Sequence, residues 1–282
     1  METKDTPPRR RQHLWLVRYG LTHPGLVEGI GPYDSDLHDP VGTGHAAATG
    51  ARLASGDGDP ASVPTAIFSD PFLRCMRTAD AICRAIHGPG RTGGEGAVRV
   101  HVEEGTTEWQ VPSLLVDPRG VRTRPRTVAE LAEMFPDTVD AAYASVNPQG
   151  PDRVAGGYPD EDGGDDVAPR FPETEPQLRA RCAASLSRIL ATVEGGRSLA
   201  IVGHAPCLQY LALCLEGSAT PAEASGLGPW SCGGVTRFSR PVGEDGAAAE
   251  AWSLDVYSDT EHMPGEYKEG TKGAWSLPSF QK

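Results

Sequence analysis

The length, composition and charge of the chain exclude several classes of protein. It has 282 residues, a hydrophobic fraction of 38% and a formal net charge of −12, which allows one large or two small domains with a sizeable core. The acidic balance argues against a general nucleic-acid-binding protein, which needs a basic face to meet phosphates. No apolar run approaches the roughly 18–20 residues that span a bilayer, so we expect no membrane span.

The N-terminus and the cysteines indicate an intracellular protein. Residues 1–12 are polar and basic and lack an apolar signal core, which predicts a disordered arm rather than a secretion signal. The six cysteines are scattered without a C-x-x-C pair, which favours reduced thiols. We expect the protein in the cytoplasm, with the nucleus or an organelle as alternatives.

Short apolar runs alternate with helical patterns along the chain. In chain order, the patterns predict a strand at 14–17, a helix at 43–54, a strand at 66–68, a helix ending near 86, a strand at 98–102, helices at 127–135 and 175–193, a strand at 198–203 leading into a helix that starts near 206, and strands at 234–238 and 251–256. This alternation predicts an α/β domain with a largely parallel sheet.

Two glycine-rich stretches interrupt the pattern. Residues 88–96 form one, and the acidic residues 147–172 predict a flexible insertion, a solvated spacer in preference to a site for cations or a basic partner. We expect the domain itself to span residues 13–263, followed by a C-terminal tail at 264–282.

Searches for common motifs indicate neither a cofactor nor a metal. The chain has no G-x-x-x-x-G-K-[ST] and no G-x-S-x-G segment. Residues 42–47 resemble a dinucleotide-binding loop, but the turn-like segment before them makes a helix N-terminus the better interpretation. His204 and Cys207 lie three residues apart without a second pair of ligands at metal-site spacing.

Polar side chains follow four of the predicted strands. In open α/β sheets, ligands bind outside the carboxyl ends of the strands, and the loops there carry Arg18, Arg74, Glu108 and His204. These side chains therefore bring two cations, a carboxylate and an imidazole towards one point. The alternative is a structural role for each, with Arg18 paired to Glu108 and His204 capping the helix that follows it.

Together these segments resemble the histidine phosphatase superfamily, whose phosphoglycerate-mutase-like members share an Arg-His-Gly first motif. The resemblance covers residues 13–263. Residues 69–79 look like the S-x-P-x-x-R-x-x-x-T-A segment of the family, and residues 102–109 resemble its eukaryotic-type acid loop. Residues 199–205 are similar to the strand that ends in the second family histidine, and residues 252–263 to its C-terminal segment.

The resemblance implies a fold and a role for each site residue. The fold is a three-layer sandwich, with a mostly parallel central sheet and helices on both faces. Arg18, Arg74 and His204 would bind the phosphoryl oxygens, and Glu108 would occupy the position of the proton donor. Bidentate guanidinium groups suit a phosphate in both geometry and charge.

The first motif departs from the family at its nucleophile. The position of the attacking histidine is occupied by Tyr19, whose phenol has an ordinary pKa near 10 and is largely protonated. His23 is close in sequence, but in the family the chain has turned away from the site at that point. The sequence therefore predicts a pseudophosphatase that binds phosphate or another anion, or a structural subunit of an assembly.

Two sets of alternatives accompany this prediction. An active phosphomonoesterase, either a phosphatase or a mutase, could use the Arg, His and Glu groups without a phosphohistidine. The ligand could be a phosphorylated small molecule, a phosphoprotein or an inorganic anion, and protein partners could be held in a larger assembly.

Overall fold

A single mixed sheet organises the part of the chain that the structure describes. The computed structural model describes residues 10–23, 31–88, 94, 96–115, 125–146, 169, 171–218, 227, 229–243 and 250–272. The strands in these ranges are β1 (Arg11–Arg18), β2 (Ala66–Ser69), β3 (Val100–Val102), β4 (Leu199–Gly203), β5 (Val235–Pro241) and β6 (Ser253–Asp259). Their order is β3-β2-β4-β1-β5-β6. Strands β3, β2, β4 and β1 pair in parallel, and β5 is antiparallel to both of its neighbours.

Of the six α-helices in the described ranges, five lie at positions that the sequence predicts. The six are α1 (Val41–Ser55), α2 (Leu73–His87), α3 (Pro112–Leu115), α4 (Val128–Met134), α5 (Glu175–Thr192) and α6 (Ala205–Glu216). Helix α3 has four residues and was not predicted. None of the helices in the described ranges is long and apolar enough to cross a membrane.

The hydrophobic core lies on both faces of the sheet because successive strand residues point to opposite sides. In β1, Trp15 and Val17 pack with residues of α1, α2 and α4, including Leu53 of α1. Leu14 and Leu16 pack on the other face against α5 and α6. All four β1 residues are fully buried. The α/β sandwich with helices on both faces is therefore confirmed.

Ordered elements extend beyond both predicted ends of the domain. The predicted arm included residues 11 and 12, but both belong to β1, where Arg11 Nη2 donates to Ser239 Oγ over 2.7 Å. The predicted tail began at residue 264, yet the chain continues as a 3₁₀ segment, Gly265–Lys272, in which the Tyr267 carbonyl accepts from His45 Nε2 over 2.9 Å. Polar contacts formed across the fold hold both of these segments.

Most of the predicted acidic insertion lies outside the described residues, which omit 147–168 and 170. Phe171, near its end, packs against the core on the α1 and α2 face of the sheet. Of the glycine-rich stretch at 88–96, residues 89–93 and 95 also lie outside the described part of the chain.

Two glycines let the turn after β1 lie against the start of α1. A Cβ atom on Gly20 would be 2.4 Å from the Gly42 carbonyl oxygen, and one on Gly42 would be 1.9 Å from the Leu21 carbonyl oxygen. Neither position accepts a side chain without a backbone shift. The segment at 42–47 is thus a helix N-terminus, as predicted, and its glycines serve close packing.

Candidate functional site

The structure brings the predicted site residues together at the carboxyl ends of the parallel strands. Arg18 ends β1, Arg74 lies in the first turn of α2 after β2, Glu108 lies in the loop after β3, and His204 directly follows β4. His204 is within 2.6 Å of Arg74 and 3.7 Å of Glu108. The loops at this edge of the sheet converge, as expected for an open α/β sheet, and bring these side chains close together.

His204 is fully buried and is held from both ring nitrogens. Its Nδ1 lies 2.5 Å from Asp70 Oδ2, and its Nε2 lies 2.6 Å from Arg74 Nη2. Because a guanidinium nitrogen can only donate, Nε2 accepts from Arg74. The proton of a neutral imidazole is then on Nδ1, donated to the Asp70 carboxylate.

Sequence reasoning missed Asp70. The residue lies directly after β2, is fully buried, and also accepts from the Phe72 backbone N–H over 3.0 Å. Its position in the same loop as Arg74, at the edge where the site lies, was an available signal. Asp70 fixes the orientation and the tautomer of the His204 ring.

Arg74 is held in place by contacts on several sides. Its Nη1 donates to the Pro32 carbonyl oxygen over 2.7 Å, in addition to the contact of Nη2 with His204. Its Cζ lies 4.5 Å from the centre of the Phe72 ring and 4.9 Å from that of Tyr19. Such stacking on aromatic faces suits a guanidinium group. Arg74 is 8% exposed, so its charge lies largely out of water beside the site.

Tyr19 lies among the groups that would bind a phosphoryl group. The centre of its ring is 4.9 Å from that of His204 and 5.6 Å from Arg18 Cζ. Arg18 hydrogen-bonds to the phenol and also donates from Nη1 to the Trp230 carbonyl oxygen over 2.6 Å. Burial raises the pKa of Tyr19, although Arg74 and Arg18 act to lower it. The phenol is therefore neutral at physiological pH.

Hydrogen bonds from the buried Arg181 of α5 hold the loop that carries Glu108. Arg181 and Glu173, each about 1% exposed, pair at 2.7 Å. Arg181 also donates to the carbonyl oxygens of Gly105, Thr107 and Glu108 over 2.8, 3.1 and 3.4 Å. Sequence reasoning missed this pair, because an arginine in a helix is usually exposed.

Glu108 is buried but keeps one carboxylate oxygen directed towards the site. Its Oε1 accepts from the Trp109 backbone N–H over 2.8 Å, while Oε2 lies 3.7 Å from His204 Nε2. The side chain is 7% exposed. A carboxyl group in this position can exchange a proton with a molecule bound beside His204.

Asp70, Cys75 and His204 have ligand atoms within 4.8 Å of one another, which raises the question of a metal ion. His204 Nδ1 already donates to Asp70, and burial raises the pKa of the Cys75 thiol well above its usual range. The Arg74 guanidinium lies against the same imidazole. This donor set is poorly suited to a cation.

His23 is the histidine closest in sequence to the position of the nucleophile. Its ring packs edge-on against that of His38, with the two centres 4.5 Å apart. The rings that pack on the His204 imidazole are those of Tyr19 and Phe72. These contacts give no support for a role of His23 at the site.

Comparison with solved structures identifies the fold. The native mycobacterial glucosyl-3-phosphoglycerate phosphatase matches with a TM-score of 0.51 and 19% identity, over 89% of this chain and 100% of that chain. The ecdysone phosphate phosphatase from Bombix mori, in complex with tungstate, matches with a TM-score of 0.53 and 14% identity, over 90% and 93%. The fold is that of the histidine phosphatases.

The same mycobacterial phosphatase in complex with inorganic phosphate has a TM-score of 0.50 and 19% identity to this chain, over 90% of this chain and 100% of that chain. No protein-family model and no curated protein sequence matches. Identities this low show the shared phosphoglycerate-mutase-like fold and leave function to be argued from the site.

Proposed function

We propose that this chain is a histidine-phosphatase-like protein that binds a phosphate group or a related oxyanion without hydrolysing phosphoesters. The proposal is supported by Tyr19, which by its motif takes the position of the family nucleophile and whose ring lies close to Arg18, Arg74 and His204. The ligand class comprises a phosphorylated small molecule, a phosphoprotein and an inorganic anion. By its motif the acid loop is of the family's eukaryotic type.

The chemistry of Tyr19 opposes turnover at two steps. The phenol must lose its proton to attack phosphorus, but burial raises its pKa. Its neighbouring base, His204 Nε2, is engaged with Arg74. If the attack did occur, the resulting aryl phosphate ester would transfer its phosphoryl group to water far more slowly than a phosphohistidine does. Loss of a nucleophile typically costs several orders of magnitude in rate.

Anion binding is supported by the charges that the site retains. Two guanidinium groups and an imidazole converge at the site. One guanidinium group can donate two parallel hydrogen bonds to two oxygens of the same phosphate. Among proteins of the same fold, the Bombix mori phosphatase has been solved with tungstate and the mycobacterial phosphatase with inorganic phosphate.

Hydrolysis of p-nitrophenyl phosphate by the purified chain tests the proposal. We expect the rate to equal that of Arg74→Ala and His204→Ala, which control for contaminating phosphatases. Turnover that either substitution abolishes would refute a non-catalytic function. Tyr19→His restores the family nucleophile among otherwise retained groups, and we expect it to hydrolyse the ester measurably.

An active phosphomonoesterase is the second candidate, supported by the buried carboxylate of Glu108 at 3.7 Å from His204. In that mechanism water attacks phosphorus directly and Glu108 protonates the leaving oxygen. If the native chain is inactive and Tyr19→His is active, this candidate fails.

A non-catalytic protein acts through what it holds, so a structural role in an assembly is part of the proposal. The basic residues before β1 and the acidic residues in 147–172 would serve as charged docking segments. All six cysteines are free thiols, in keeping with an intracellular location. Purification from native extract only as a free monomer would count against an assembly.

A further inference from the structure

The contact between Arg74 and His204 determines the protonation state in which the site can accept an anion. Arg74 Nη2 and His204 Nε2 lie 2.6 Å apart, and this contact requires a lone pair on Nε2. A fully ionised oxyanion presents only acceptor oxygens, so Nε2 can bind it only after gaining a proton. We propose that oxyanion binding at this site is coupled to the uptake of one proton by His204 Nε2. This inference rests on the proposed function.

Protonation and anion binding favour each other for a geometric reason. Once Nε2 carries a proton, two donors face each other at a distance suited to a donor and an acceptor. The two nitrogens must then separate, and an anion oxygen at about 2.9 Å from each satisfies both. By linkage, whatever stabilises the protonated form also tightens anion binding.

The surroundings of His204 can stabilise the imidazolium. It is faced by Asp70 from the loop after β2, Arg74 and Cys75 from α2, Glu108 from the loop after β3 and Tyr19 from the loop after β1. The Asp70 carboxylate accepts from Nδ1 in both protonation states and stabilises the cation. In this set, Cys75 and Tyr19 are neutral because burial raises the pKa of each.

The formal charges of the site also favour the uptake of a proton when an anion binds. Two guanidinium cations, Arg18 and Arg74, face two carboxylates, Asp70 and Glu108, so the site carries no net formal charge while His204 is neutral. One proton on His204 gives the site a net positive charge and so strengthens its attraction for a dianion. The proton comes from solvent, and the Nδ1 proton stays with Asp70.

Sulfate is the suitable probe because it stays fully ionised near neutral pH and cannot supply the proton itself. Isothermal titration at about pH 7.5 in two buffers of different ionisation enthalpy counts the protons taken up. We expect the uptake of about one proton per sulfate bound. The dissociation constant for sulfate should then rise by at most about tenfold for each unit by which the pH is raised. Ionic strength is held constant with chloride.

Three variants assign the proton. In Glu108→Gln we expect the uptake to persist, because the proton resides on His204. In His204→Gln the amide is a permanent donor, so sulfate should bind without proton uptake. His87→Gln is the matched control, because His87 ends α2 thirteen positions after Arg74, about 20 Å along the helix, and its uptake should equal that of the wild type.

Each result has a distinct meaning. Sulfate binding by the wild type without proton uptake overturns the inference and leaves the proposed function in place. Uptake that disappears in Glu108→Gln also overturns it, because the proton then belongs to the carboxylate. If sulfate fails to bind between about pH 6 and pH 8, the proposed function itself fails. The wild type and Glu108→Gln decide the matter even if His204→Gln does not fold.

Discussion

Replacing Arg181 by methionine should destabilise the fold more than any loss of a surface charge. Arg181 and Glu173 form a bidentate pair, with Nε–Oε1 at 2.7 Å and Nη2–Oε2 at 2.8 Å, and both side chains are about 1% exposed. Arg181→Met leaves the Glu173 carboxylate buried without its cation. It also removes the donors to three carbonyl oxygens of the loop that carries Glu108.

The expected size of the effect follows from this burial. Removing one partner of a buried, hydrogen-bonded ion pair costs about 3–5 kcal/mol, a large part of the roughly 5–15 kcal/mol that stabilises a typical domain. Replacing both residues, as in Arg181→Met/Glu173→Leu, leaves no unpaired charge, so the double variant should lose less stability than Arg181→Met alone.

Urea denaturation followed by tryptophan fluorescence measures these free energies of unfolding. Trp109 reports on the loop itself, because its indole N–H donates to the Glu173 carbonyl oxygen over 2.9 Å. Arg77→Met is the matched control. Arg77 and Asp36 pair at 3.3 Å but are 44% and 43% exposed, so its cost should stay below about 1 kcal/mol. A cost below about 1 kcal/mol for Arg181→Met would refute the reasoning.

Three further predictions concern the stability of the fold. Burial lowers the pKa of His262 to about 4 from the ordinary 6.5, so the unfolded chain binds the proton more tightly. The contribution of His262 to the free energy of unfolding is complete above pH 6.5 and is lost as the pH falls towards about 4. We expect this loss to be about 2 kcal/mol, after allowance for the partial exposure of the side chain. Urea denaturation across this pH range measures it, and His262→Gln should not show it. Gly42→Ala, whose Cβ would lie 1.9 Å from the Leu21 carbonyl oxygen, should cost more than about 2 kcal/mol in urea denaturation, whereas Gly265→Ala, which meets nothing within 4 Å, should cost little. Thr127→Ala removes the capping box of α4 and should cost about 1 kcal/mol in the same assay.

The sequence predicts the elements of the fold well where their pattern is local. The strand predicted at 198–203 and the helix predicted at 43–54 both appear within two residues of their predicted bounds. The antiparallel direction of β5 is not encoded in its own residues, because periodicity is the same for either direction. It is decided by pairing with β1, whose residues lie more than 200 positions earlier in the chain.

The residues of the candidate site also divide into those that local sequence patterns indicate and those that they do not. Arg18, Arg74 and His204 could be found because each follows a strand at the edge where ligands bind. The partners that hold them could not, because Asp70 contacts a histidine 134 positions away and Arg181 contacts the Glu108 carbonyl 73 positions away. A pattern within one segment carries no information about such contacts, so Arg181 is not distinguished from an exposed helix residue until the fold is known.

A crystal structure of the native chain soaked with p-nitrophenyl phosphate tests the central claim most directly. We predict an intact ester whose phosphate group is bound by Arg18, Arg74 and His204, with no covalent bond from phosphorus to Tyr19. A phosphoryl group attached to the Tyr19 oxygen would contradict the claim that this residue is not a nucleophile. A site without the ester at saturating concentration would contradict the claim that it binds an oxyanion.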